Sequence, residues 1–118
     1  MVGKIEVIFA PNVILYLDDL VNVLYKREYF GFIESAEEYV SDIYDAVPER
    51  IKKTLHNKTP ASIQYLGLNY VFYKVNARTT WYIFFEKRDQ NYFITTIINN
   101  NSPEVKKNYN SKILINIL

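Results

Sequence analysis

The chain has no cysteine, a single histidine and only three glycines. Without cysteine there is no disulfide and no thiolate metal ligand, which suits a reducing cytosol. One histidine leaves no spacing from which a zinc site could be built. Three glycines are too few for a glycine-rich phosphate loop. No run approaches the roughly 18 apolar residues needed to span a bilayer. The opening MVGKIEVIFAPNVILYL is interrupted by Glu6, Pro11 and Asn12, and no small-residue cleavage site follows, so it is not expected to act as a secretory signal. A serine nucleophile needs a positioned base, and none is evident. The expectation is a cytoplasmic protein with no metal, no cofactor and no membrane partner.

What is present is a core. Hydrophobic residues make up 49% and aromatics 16% of 118 residues, enough for one compact domain to bury its own interior. We therefore expect a single domain over 1–118, with 101–118 as a C-terminal extension. Charge is unevenly spread. Residues 1–49 hold three cations against ten acids, a net −7, while residues 50–118 hold eleven cations against three acids, a net +8. Such asymmetry can attract a polyanion or an acidic partner. It is equally what acidic helices beside a basic sheet edge look like when each is simply solvated.

The segment KIEVIF alternates and is β-branched, so a strand is expected over 4–9. Pro11 then opens a helix over 11–27 whose apolar positions Ile14, Leu17, Leu20, Val21 and Leu24 recur at three and four. YFGF breaks it at Gly31. Ser35-Ala36-Glu37-Glu38 has the form of a capping box, predicting a second helix over 36–47. Its inner face would carry Ala36, Tyr39, Val40, Ile43, Tyr44 and Val47. Pro48 is expected to end or kink this helix, with ERIKKTLH continuing for a turn or two. NKTPAS reads as a loop.

Three strands follow, over 70–76, 80–86 and 92–99, joined by short polar links that predict an antiparallel meander. In the middle run Trp81, Ile83 and Phe85 share one face, and Tyr82, Phe84 and Glu86 the other. Two aromatic faces fit either a central strand covered on both sides or a partly exposed aromatic surface. The tail KILINIL suits a strand or a helical segment. The fold class expected is α+β: an antiparallel sheet with an N-terminal helical hairpin packed on one face, in the order β-α-α-β-β-β.

That order, filled by IEVIFAP, ESAEEYVSDIYDAV and FYKVNARTTWYIFFEKRDQNYFITTII, resembles the RelE/ParE superfamily of toxins from type II toxin–antitoxin systems, over residues 4–100. The resemblance implies a growth inhibitor held silent by a cognate antitoxin protein. In the RelE-like branch the activity is metal-independent endoribonuclease cleavage of mRNA on the ribosome. The ParE-like branch acts on DNA gyrase and is not a nuclease, and a third alternative is an inactive member serving as a scaffold. Fold alone does not choose among them.

Metal-free RNA cleavage needs help in deprotonating the ribose 2′-OH, cations around the phosphorane and a donor for the leaving oxygen. The resemblance nominates Lys74, Arg78 and Tyr82 as catalytic: Lys74 as base or phosphate contact, the Arg78 guanidinium as a phosphate clamp, and Tyr82 as stacker or hydroxyl donor. Lys52, Lys53, Lys87, Arg88 and Trp81 are the nominated substrate contacts. The chain departs from the pattern where members carry an arginine at the start of the middle strand, here Trp81-Tyr82, and a basic residue after the last strand, here IINNNSP. One missing stabilising donor can cost about 100- to 1,000-fold in rate, so both departures weigh against strong nuclease activity. Read without the resemblance, Lys74 is a solvated strand lysine, and Arg78, Lys87 and Arg88 are ordinary turn residues. Trp81 and the tyrosines are then core or partner-facing, and His56 is a surface residue near a helix end. A partner is expected to cover Lys74, Arg78, Tyr82 and the tail from 113 to 118.

Overall fold

The computed structural model describes residues 4–26 and 32–100. Its elements are β1 (Glu6–Phe9), α1 (Pro11–Lys26), α2 (Ile33–Lys53), β2 (Asn57–Lys58), a 3-10 helix (Ala61–Leu66), β3 (Asn69–Lys74), β4 (Thr80–Arg88) and β5 (Asn91–Asn99). The five strands form one mixed sheet in the order β1-β5-β4-β3-β2. β3, β4 and β5 make the expected antiparallel meander, and β1 lies parallel to β5 with Val7 opposite Tyr92. The architecture is α+β, with the two helices stacked on one side of the sheet. The break expected at Gly31 and the tail beyond Asn100 lie outside the described residues.

Pro11 occupies the first helical position of α1, where a missing N–H removes nothing. Val13, Leu17 and Leu20 are the buried positions, and Val21 and Leu24 pack beside them. Ile14, expected on this stripe, is 40% exposed, because Val13 takes the inward place one step round the helix. The inner face of α2 runs through Ala36, Val40, Ile43, Val47 and Ile51.

Two local rules fail in α2. The helix starts before Ser35: the Phe32 carbonyl accepts from the Ser35 and Ala36 N–H groups, and no side chain caps the end. Ser35 thus sits inside the first turn, and the capping box is not formed. Nor does the helix end at Pro48, which lies within it. Proline inside a helix costs about 3 kcal/mol. Val47 and Ile51, at 0% and 3% exposure on either side of it, are each worth roughly 1.5–3 kcal/mol on burial, enough to carry the helix through.

The sheet has a core on each face. Towards the helices lie Val71, Trp81, Ile83, Phe85, Tyr92, Ile94 and Ile97. On the other face Tyr70, Tyr82, Phe84 and Ile98 are covered by Ile63 and Leu66 of the 3-10 helix. The stretch expected to be a loop therefore contributes β2 and begins this cover. Between Phe84 and Phe85 the pairing slips by one residue: Phe84 faces Thr96 and Phe85 faces Ile94, leaving Thr95 as the extra residue of a bulge. The bulge receives the cover, since the Thr95 hydroxyl donates to the Leu66 carbonyl at 2.6 Å. Gly67 follows at φ 152°, pressed against β4.

Candidate functional site

The eight nominated residues do not converge. Lys74 pairs with Thr80 at one end of β4, and Arg78 lies in the turn between them. That turn is held by Asn76, whose side-chain oxygen accepts the Arg78 and Thr79 N–H groups at 2.8 and 2.9 Å. Lys87 and Arg88 close the other end of β4. Thr80 and Arg88 are eight strand steps apart, about 26 Å. Both pairs are exposed, but no single small site holds all four.

Trp81, nominated as a substrate contact, and Tyr82, nominated as catalytic, are both buried, on opposite faces of β4. Trp81 is 1% exposed on the helix face, where its indole N–H donates to the Tyr39 hydroxyl at 3.0 Å and its ring meets Tyr16 edge-on. Tyr82 is 2% exposed on the opposite face, beneath the 3-10 helix, and its hydroxyl has no hydrogen-bond partner among the described residues. Burial, with a smaller contribution from neighbouring Tyr70, pushes its pKa up to about 12. Neither the ring nor the hydroxyl of Tyr82 is presented to solvent in this arrangement. The strand's alternation assigned these residues to faces correctly, but it carried no information about what covers each face.

The last turn of α2 carries Arg50, Lys52 and Lys53, and the two nominated lysines diverge. Lys53 bonds Glu49 one turn back at 3.2 Å. It borders a cleft of about 270 Å³ between α2 and β3, together with Arg50 and Tyr73. Lys52 faces the other way, into an open groove of about 450 Å³ lined by Ile5, Ile51, Leu55, His56 and Tyr92. The β4–β5 hairpin splits its cations too. Lys87 sits opposite Tyr92 with its ammonium 5.6 Å from the centre of that ring, whereas Arg88 lies over Phe93 at 5.7 Å. Alternation along β4 sends the two to opposite faces.

The arrangement that does form gathers Lys52, His56 and Lys87 around Tyr92 at the C-terminal end of α2. His56 is held edge-on to Phe85 and Tyr92, with Nε2 2.9 Å from the Ile51 carbonyl. Sequence reading placed His56 near a helix end without assigning it a role. A usable signal was the two-residue link between β4 and β5, which sets Lys87 across from Tyr92.

The exposed acids Asp18, Asp19, Glu37, Glu38, Asp42 and Asp45 line α1 and the first half of α2. The charge asymmetry of the sequence is therefore a spatial one: acidic helix surface on one part, cations at the end of α2 and at both ends of β4. Among the described residues no three histidine, aspartate or glutamate side chains are grouped as metal ligands, and no helix is long and apolar enough to cross a membrane. Chemically, the described surface offers cationic and aromatic contacts.

Comparison with protein-family models, with curated proteins and with solved structures found no match to this chain.

Proposed function

We propose that this chain is the toxin of a RelE/ParE-type toxin–antitoxin pair, acting in the cytoplasm by occupying a macromolecular target such as DNA gyrase and held silent by a cognate antitoxin. The fold supports the family: the three stretches that carry the resemblance form β1, α2 and the β3–β4–β5 meander, in the order it implies. This support is analogy of fold, and function must rest on the site. The observation that carries the mode of action is the burial of Tyr82 under Ile63 and Leu66, which holds the nominated hydroxyl donor away from solvent. What remains outside is a set of exposed cations, suited to binding.

Ribosome-dependent mRNA cleavage is the second reading. It is favoured by one feature, the exposure of Lys74 and Arg78 beside the same turn, where both could contact phosphate.

Inducible expression in a bacterial host tests the proposal. Growth should arrest, arrest should be accompanied by a DNA-damage response, and co-expression of a small acidic protein encoded beside this chain should restore growth. Expression without any growth defect would sink the toxin reading and leave a scaffold.

A further inference from the structure

We propose that Pro60–Gly67 is a flap that lifts off the sheet as one unit, while the strands stay paired, and uncovers an aromatic surface on the face away from the helices. The segment is built as a closed loop. The Thr59 N–H donates to the Leu68 carbonyl at 3.0 Å, so its two ends meet at the edge of β3, next to the two residue pairs of β2. Between these ends the backbone bonds are internal. The Ile63 N–H donates to the Pro60 carbonyl at 3.0 Å and the Gly67 N–H to the Gln64 carbonyl at 3.1 Å, while the Gln64 side chain donates to the Thr59 carbonyl at the base, at 3.4 Å. A short loop tied at its ends and bonded within itself can open without disturbing the strands that carry it.

Among the described contacts, two things fasten the flap to the sheet: the burial of Ile63 and Leu66 in one cluster with Tyr70, Tyr82, Phe84 and Ile98, and the Thr95 hydroxyl bonded to the Leu66 carbonyl. That bond has a substitute already in place, because the same hydroxyl oxygen lies 3.3 Å from the Phe84 carbonyl. A hydroxyl has one proton to donate. When the flap lifts, the proton turns to Phe84 and the Leu66 carbonyl meets water, so neither group is left unpaired. Closure also carries a cost. The Thr59 hydroxyl at the base and the Tyr82 hydroxyl beneath the flap are both buried with no hydrogen-bond partner among the described residues. Such a hydroxyl favours whichever state admits water. Nor is the flap a regular helix: Ile63, at φ −128° and ψ 20°, departs from helical geometry, and 3-10 bonding is poorer than that of an α-helix. Gly67 has no Cβ to hinder rotation where the flap rejoins β3.

The register sets Phe72, Tyr82 and Ile98 in one row across β3, β4 and β5, with Tyr70 and Phe84 in a neighbouring row. Phe72 is 42% exposed with the flap closed. Lifting the flap joins the other four side chains to it, so this face of the sheet switches between a covered surface and a contiguous, largely aromatic one. The inference stands apart from the toxin reading, because its readout is the accessibility of a side chain and not growth.

The chain has no cysteine, so a single introduced thiol reports alone. Ile63→Cys places it on the buried side of the flap, and Ile83→Cys places it in the core on the helix face; the parent residues are 1% and 0% exposed. Each full-length variant is treated with a thiol-labelling reagent across a urea series below its unfolding midpoint. The Ile63→Cys thiol should react at a rate that hardly changes with urea, because a local opening exposes little surface. The Ile83→Cys thiol should react only with the full urea dependence of the global transition seen by circular dichroism. Adding Tyr82→Phe to Ile63→Cys removes the phenol that opening hydrates and should slow labelling about tenfold. Adding Thr95→Val leaves the Leu66 carbonyl without its hydroxyl in the closed state and should speed labelling about tenfold. Leu66→Cys gives the same readout if Ile63→Cys does not fold. The proposal is overturned if the flap thiol follows the urea dependence of global unfolding, if it reacts as fast as in the urea-unfolded chain, or if either Tyr82→Phe or Thr95→Val leaves its rate unchanged.

Discussion

The indole N–H of Trp81 donates to the Tyr39 hydroxyl across 3.0 Å, joining the central strand to the first half of α2 beside the larger core. This bond makes Trp81 a structural residue. Trp81→Phe removes the donor and part of a fully buried ring, and the variant should lose about 2–4 kcal/mol of stability in urea denaturation. Tyr39→Phe leaves the buried indole N–H without this partner and should cost about 1–3 kcal/mol. The double variant should then be less destabilised than the two losses added together. A Trp81→Phe chain of unchanged stability but reduced biological effect would mean that the ring contacts a target after all.

Tyr82, one residue along, makes the opposite prediction. Its hydroxyl is buried without a partner among the described residues, so Tyr82→Phe removes an unsatisfied polar group and leaves the ring in place. Stability should be unchanged or should rise by up to about 2 kcal/mol, and growth arrest should be undiminished. Loss of arrest in a variant that melts like the parent would return Tyr82 to a catalytic role.

Alkaline pH separates the same two chains in a second way. The Tyr82 pKa is raised in the folded state, to about 12 from the ordinary 10.0, mainly by burial. A raised folded pKa contributes stability that is fully present below pH 10 and is lost as pH climbs towards 12. The expected loss from this group over that window is about 2–3 kcal/mol. Urea midpoints measured at pH 8 and pH 11 should fall further for the parent than for Tyr82→Phe. Equal falls would place the alkaline sensitivity elsewhere, with Tyr39, Tyr44 and Tyr70, also raised by burial, as its sources.

Gly67 fixes the cover of the second face. A Cβ at this position would lie 2.5 Å from Thr95 Oγ1, 2.9 Å from Phe84 Cβ and 3.0 Å from the Phe85 nitrogen. With φ at 152°, an alanine here would be strained as well as crowded. Gly67→Ala should destabilise by about 2–4 kcal/mol, as read from the urea midpoint. It should also raise the exposure of Tyr82, as read by tyrosine nitration. A variant as stable as the parent would mean that the 3-10 helix does not seat on the bulge at Thr95.

Much of this fold was legible in the sequence because its elements obey their own periods. The inner face of α2 repeats at three and four, and β4 alternates cleanly, so helix, strand and facing followed from local pattern. Where local rules failed, a longer-range term outweighed them. Ser35 has the residues of a capping box, yet the chain enters the helix from Phe32. Pro48 should interrupt α2, yet Val47 and Ile51 bury on either side of it.

The cover over Tyr82 was illegible for another reason. Ile63 and Leu66 are two apolar residues in a polar stretch, three apart, and only the bulge at Thr95 gives them a place to land. A bulge leaves no mark in the sequence. Alternation likewise assigns a face but not the distance between strand ends, so it did not show that Lys74 and Arg78 lie a full length of β4 from Lys87 and Arg88. His56 was placed correctly at a helix end, but its contacts with Phe85 and Tyr92 come from strands more than 25 residues later in the chain.

The most direct test of the account is a map of RNA 5′ ends in cells shortly after the chain is induced. The account predicts growth arrest with no new ends in ribosome-bound transcripts, and the same arrest from Tyr82→Phe. New ends that vanish with Lys74→Ala, Arg78→Ala or Tyr82→Phe would contradict it and make the chain a ribonuclease.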